Sequence, residues 1–117
     1  MNHIALGKLG EQLALEYLEQ RGFTILEQNW RFGRLEVDII AFYATFLVII
    51  EVKTRSSSDF GYPDESVGHR KIDFLAEAAA AYQEEKDLDL ETRFDIISIV
   101  MRGDEPKIFH LIEAFHP

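Results

Sequence analysis

The sequence predicts an α/β domain with the element order α-β-β-β-α-β-β, in which helices flank a mixed central sheet. Three observations predict it. Apolar residues recur at three- and four-residue steps near the start and again in the second half of the chain. Between those two segments lie three runs rich in Ile, Val and aromatic residues, separated only by short turns, and two further apolar runs close the chain. A chain of 117 residues has room for one core, so residues 1–117 read as a single domain.

The first helix spans Ile4 to Gln20, where Ile4, Leu6, Leu9, Leu13, Ala14, Tyr17 and Leu18 form the stripe, and Arg21-Gly22 ends it. Phe23 to Trp30 reads as a strand in which Phe23, Ile25 and Glu27 alternate against Thr24, Leu26 and Gln28, with a turn at Phe32-Gly33. Leu35 to Phe42 and Phe46 to Thr54 are joined only by Tyr43-Ala44-Thr45, so they form an antiparallel hairpin. Arg55 to Asp64, with three serines and the Gly61-Tyr62-Pro63 break, reads as an exposed, mobile loop. The second helix runs from about Glu65 to Lys86 on the stripe Val67, Ile72, Leu75, Ala78, Ala79 and Tyr82. Phe94 to Met101 and Lys107 to Ile112 are the last strands, joined through Gly103-Asp104-Glu105-Pro106. The strands on either side of the second helix are expected to lie parallel through a right-handed crossover.

Composition narrows the function. Twelve basic against twenty-one acidic residues give a net charge of −9, a field that repels polyanions and anionic membranes except where locally reversed. The absence of cysteine excludes disulfides, thiolate metal sites and a cysteine nucleophile, and fits a reducing compartment. The longest apolar run, Phe46 to Ile50, is far short of a membrane span, and the first residues carry no basic-then-apolar signal, so a cytoplasmic protein without a membrane partner is expected.

Three carboxylates and a lysine do not fit a purely structural pattern. Alternation along Leu47 to Lys53 puts Glu51 and Lys53 on one face, and alternation along Glu36-Val37-Asp38 puts Glu36 and Asp38 on one face. A short hairpin brings Asp38 close to opposite Glu51, so two strands can converge Asp38, Glu51 and Lys53 on one spot. Two carboxylates bind a hard cation such as Mg²⁺ or Mn²⁺, and a lysine beside them can orient a nucleophile or stabilise charge on a phosphoryl group. A cross-strand salt bridge on a solvated sheet face is the ordinary alternative. At about 100° per residue, Glu11 falls in line with Ile4 and Leu18, in the apolar arc of the first helix. A carboxylate there needs a cation, a donor or a raised pKa unless the helix edge is wet enough to solvate it. It can therefore be a third carboxylate of the same metal site.

Gly10-Glu11, Asn29-Trp30-Arg31, Glu36-Val37-Asp38-Ile39-Ile40, Glu51-Val52-Lys53-Thr54-Arg55, Phe60-Gly61 with Pro63, and Arg93-Phe94-Asp95 occur in that order. This ordered set resembles the uncharacterised bacterial YraN-type family of the PD-(D/E)xK endonuclease-like superfamily, and the resemblance covers almost the whole chain. It implies a three-layer restriction-endonuclease-like fold, similar to archaeal Holliday-junction resolvases. In that fold Glu11, Asp38, Glu51 and Lys53 would form a Mg²⁺-dependent site that cleaves phosphodiester bonds in DNA. Leu35 stands where the family usually has glycine.

The expected roles follow. Asp38 and Glu51 hold the cation, Glu11 completes or orients its shell, Lys53 acts on water or developing charge, and Glu36 is accessory. Arg31, Arg34 and Arg55, with Arg70 and Lys71 at the opening of the second helix, are the candidate phosphate contacts. The partner is DNA, branched DNA included, and a small resolvase-like domain would act as a homodimer. The rival function is a catalytically silent module that keeps the fold and binds protein or structured nucleic acid, which the net charge of −9 favours. His3, His69, His110 and His116 lack metal-ligand spacing and read as surface or packing residues, and no glycine-rich phosphate loop is present.

Overall fold

A computed structural model describes residues 2–56 and 67–117. Its elements are α1 (His3–Gln20), β1 (Thr24–Phe32), β2 (Leu35–Tyr43), β3 (Phe46–Arg55), α2 (His69–Glu85), β4 (Glu91–Arg102) and β5 (Glu105–Leu111). The order is the expected one. Of the expected loop Arg55 to Asp64, Arg55 instead ends β3, and the part from Ser57 to Asp64 lies outside the described residues, as do the expected start of the second helix at Glu65 and Phe60, Gly61 and Pro63.

The five strands form one sheet in sequence order. β1, β2 and β3 are an antiparallel meander, β4 lies parallel to β3, and β5 folds back antiparallel on β4. The parallel pair brackets α2, as a helical crossover requires. α1 covers one face through Ala14, Leu15 and Leu18 packed on Ile39, Ala41, Val48, Ile50, Ile97 and Ile99. α2 covers the other through Leu75, Ala78, Ala79 and Tyr82 packed on Val37, Ile40, Leu47, Ile49 and Phe94. Because both faces are covered, the middle of β3 (Leu47 to Ile50) can be apolar without alternation. The arrangement has the three layers of the nuclease-like fold. Among the described residues no helix is long and apolar enough to cross a membrane.

Several boundaries move for local reasons. β1 continues through Phe32 because Gly33, at φ 65°, and Arg34 form the turn. The β2–β3 hairpin needs only Ala44 and Thr45, with Ala44 at φ 54°. The stripe of α1 is also rotated from the expected one: Ile4 is 72% exposed, and the buried line is Gly10, Ala14 and Leu18 with Leu15 beside it. Close approach sets this rotation, since a Cβ at Gly10 would come within 1.9 Å of Thr54 Oγ1 on β3. Glycine at this position lets α1 lie directly on the end of β3, and so places Glu11 next to it.

Two glycines of α1 are therefore expected to respond with opposite signs. Gly10→Ala overpacks the helix–strand contact and is expected to lower stability by about 1–3 kcal/mol. Gly7→Ala, where nothing lies within 4 Å, is expected to raise it by up to about 1 kcal/mol through helix propensity. Urea midpoints at unchanged slope check both signs.

Candidate active site

The site lies where β2 and β3 part company. Their pairing runs from the hairpin turn as far as Ile39 opposite Ile50 and then stops. Beyond that point Leu35 to Val37 pair with β1, and Glu51 to Arg55 pair with β4. The next residues on the two diverging edges are Asp38 and Glu51. The Val52 N–H donates at 2.8 Å to Asp38 Oδ2 instead of to a strand carbonyl, so a carboxylate occupies the mouth of the fork.

Asp38 also marks a break in alternation. Val37 and Ile40 both pack towards α2, although strict alternation would place them on opposite faces. The cause lies on the neighbouring strand. The pairs Gln28–Ile39 and Trp30–Val37 put Asn29 opposite Asp38, and Asn29 has φ 50°, a left-handed conformation that asparagine tolerates better than most residues. The expectation that Glu36 and Asp38 share a face by simple alternation therefore does not hold. Glu36 is exposed and paired with Arg31 at 3.2 Å, while Asp38 sits in the gap between the strands.

Glu11 approaches the fork from the α1 side. It is half-buried and accepts a hydrogen bond from Asn29 Nδ2 at 3.5 Å. It lines an open cleft of about 420 Å³ together with Gly7, Lys8, Asn29, Glu36 and Thr54. The centre of the apolar arc, where Glu11 was expected, is taken by Ala14 and Leu18. Partial burial and the Asp38 charge raise the Glu11 carboxyl above its ordinary value.

Glu51 approaches from the opposite face. Its side chain is 15% exposed, and Lys71 Nζ of α2 lies 3.5 Å from Oε1. Oε2 is buried without a hydrogen-bond partner among the described residues. Burial and the Asp38 charge push the Glu51 carboxyl up to about 7, against the opposing charges of Lys71 and Lys53. Asp38 is raised as well, chiefly by burial, although the Val52 N–H, the Lys71 charge and a side-chain hydrogen bond with Glu51 oppose it. Asp38 is thus the middle member, coupled electrostatically to Glu11 on one side and to Glu51 on the other.

Of the predicted residues, the fork brings Asp38 and Glu51 together, with Lys53 and Lys71 close enough to act on Glu51. Glu11 stays on the α1 side, and among the described residues no three His, Asp or Glu side chains converge as a ready metal-ligand set. Arg34 is exposed at the β1–β2 turn and Arg70 is exposed in the first turn of α2. Arg55 ends β3 half-buried. Leu35 is 50% exposed and does not line the cleft.

Residues 10–99 match the sequence model of Uncharacterised protein family UPF0102. The chain belongs to this family. A UPF0102 protein of Flavobacterium psychrophilum is 50% identical over 97% of this chain and 96% of its own length. One of Bacteroides thetaiotaomicron is 44% identical over 98% and 95%, and one of Syntrophotalea carbinolica is 42% identical over 96% and 92%. The family resemblance carried by the ordered motifs is therefore correct, and the UPF0102 match spans Glu11, Asp38, Glu51, Lys53 and Lys71.

Sequence reasoning missed a second set of buried charges in this UPF0102 chain. Asp95, 1% exposed, accepts from Arg93 Nε at 3.0 Å and from the Arg93 terminal nitrogen at 2.8 Å. It also accepts from His110 Nε2 at 2.8 Å and the Glu113 N–H at 3.1 Å. The other His110 nitrogen, Nδ1, is hydrogen-bonded to the Tyr17 hydroxyl at 3.2 Å. Burial alone would raise the Asp95 carboxyl, but the bonds from His110, Arg93 and Glu113 outweigh it and hold the group below its ordinary value. His110 is a packing residue, as expected; its bond to Asp95 could have been suspected only from Asp95 interrupting an apolar strand.

The raised Glu51 carboxyl has a definite consequence for stability. From its ordinary value of 4.5 up to about 7 the folded protein keeps a proton that the unfolded chain has lost. This stabilising contribution is complete below the lower value and is lost as pH rises through the upper one. In chelator, Glu51→Gln is expected to flatten that decline and to melt several degrees above the parent at pH 8, since ~1 kcal/mol moves the midpoint of a small domain by roughly 4–8 °C. A Gln variant that melts lower at pH 8 would contradict the assignment.

Proposed function

We propose that the protein is a metal-dependent endonuclease that hydrolyses phosphodiester bonds in DNA, branched or junction-like DNA included. The observation that carries this reading is the contrast between two buried acids. Asp95 has its carboxylate filled by four hydrogen bonds, which is how a structural acid is accommodated. Among the described residues Glu51 keeps a buried oxygen that no donor reaches, next to a second raised carboxyl, Asp38, at the mouth of a strand fork. A pair of hard oxygen donors, partly desolvated and with raised carboxyls, fits a divalent cation.

Asp38 and Glu51 would hold Mg²⁺ or Mn²⁺. When bound, such an ion polarises a phosphoryl oxygen and makes water a better nucleophile at neutral pH. Lys53, on the same face of β3 as Glu51, would stabilise negative charge developing on the phosphate. Glu11, which accepts from Asn29 Nδ2 at 3.5 Å, would orient water at the α1 side of Asp38. Arg31, Arg34 and Arg70 are exposed and would touch flanking phosphates. With a net charge of −9, affinity for plain duplex should be low without the ion. The second reading, a silent module that binds structured nucleic acid or protein, is favoured by one observation, the Lys71 ammonium lying against Glu51.

Cleavage of linear, nicked, single-stranded and branched DNA, with Mg²⁺, Mn²⁺ or chelator, separates the readings. The parent is expected to cut at least one substrate only with an ion, and Asp38→Ala and Glu51→Ala are expected to abolish cleavage. Lys53→Ala is expected to lose about 10²–10³-fold in rate while still binding Mn²⁺. A parent that binds branched DNA and cuts nothing would establish the second reading instead.

A further inference from the structure

Lys71 is the third residue of α2 (His69–Glu85), and its position is unusual for a lysine opening a helix. Basic side chains are favourable near the C-terminal end of a helix and unfavourable near the N-terminal end, where the backbone dipole is already positive. Lys71 nevertheless turns inwards, with its side chain only 34% exposed, and brings its ammonium to 3.5 Å from Glu51 Oε1. That distance is long for a charge-assisted hydrogen bond, which closes to about 2.7–2.9 Å. The contact is a loose charge contact between the helix and the fork. The same ammonium lies 5.5 Å from the centre of the Phe74 ring, one turn further along α2. Phe74 in turn packs on Phe32, the last residue of β1, at 5.8 Å between rings. A second favourable place for the charge therefore exists on the helix itself.

The carboxylates beside Lys71 draw positive charge from lysines on two elements, α2 and β3. Lys71 opposes the rise of both Asp38 and Glu51, and Lys53 opposes that of Glu51. Arg31 is engaged by Glu36. Lys71 is thus a cation that the fold itself supplies to the Asp38–Glu51 pair. A divalent ion held by those same oxygens would meet the ammonium at close range, and two like charges there repel strongly.

We infer that Lys71 is a tethered counter-cation that occupies the Asp38–Glu51 pair and must withdraw from Glu51, towards Phe74, when a divalent cation binds. The inference rests on the metal-dependent reading above and adds a regulatory element to the same site. Its consequence is that the first turn of α2 limits cation loading. It also means that anything drawing Lys71 outward, such as a DNA phosphate next to the fork, promotes loading. Metal and DNA would then bind with positive coupling, each tightening the other.

The test is Mn²⁺ binding to the whole protein by titration calorimetry without DNA, using the parent, Lys71→Met, Lys71→Arg and Asp38→Ala. Methionine keeps the stem of Lys71 without its charge at a part-exposed helix position, so circular dichroism should match the parent. Lys71→Met is expected to bind Mn²⁺ at least about tenfold more tightly than the parent, removal of one close like charge being worth that much or more. Lys71→Arg is expected to stay near the parent, and Asp38→Ala to lose binding. If Asp38→Ala loses Mn²⁺ but Lys71→Met binds no more tightly than the parent, the tethered-cation role is wrong and the metal site stands. If Asp38→Ala binds as the parent does, or no variant binds Mn²⁺ at millimolar concentration, the metal site and the inference fall together.

Discussion

The fold depends functionally on one hydrogen bond, from the Val52 N–H to the Asp38 carboxylate. In a continuous sheet that donor would meet a backbone carbonyl of β2. Here β2 has turned away with β1, and β3 has turned away with β4, so the first unpaired rung of the ladder is closed by a side chain. A buried backbone N–H left without an acceptor would be costly, and so would a buried carboxylate without donors. Each partly satisfies the other. The fork can then stay open, with Glu51 on its second edge and Glu11 arriving over Gly10.

The two buried acids show how one sheet can treat the same functional group in two ways. Asp95 is surrounded by donors from Arg93, His110 and Glu113, and its charge is stabilised although it is almost fully enclosed. It ties β4 to β5 and, through His110 and Tyr17, to α1. Among the described residues Asp38 accepts from the Val52 N–H and Glu51 meets Lys71, yet burial dominates and both carboxyls are raised. The same fold saturates one acid and, among the described residues, leaves the other pair short of donors, where an external cation would have a use. For a protein with net charge −9, that cation would also supply the positive charge with which to receive a phosphodiester.

Much of this was legible in the sequence. Periodicity located both helices and all five strands, because each buries a face wide enough to impose its repeat. The Glu51 and Lys53 pairing of faces followed from alternation along a regular strand. Alternation failed for Glu36 and Asp38 because Asn29, on the adjoining strand, takes a left-handed conformation opposite Asp38. That event depends on cross-strand register and leaves no periodic trace. The rotation of α1 was missed for a related reason: a helical wheel scores hydrophobicity, whereas the seat of α1 is set by the absence of a side chain at Gly10 against Thr54. Lys71 was read as a phosphate contact at a helix start, and its approach to Glu51 depends on how α2 crosses the sheet.

Anomalous diffraction from crystals grown with Mn²⁺ tests most directly whether the Asp38–Glu51 fork holds a divalent cation. A single strong anomalous peak is expected between Asp38 and Glu51, with the Lys71 ammonium displaced from Glu51. A fork without anomalous signal, with Lys71 still against Glu51 and the ion bound at exposed acidic residues elsewhere, would contradict it.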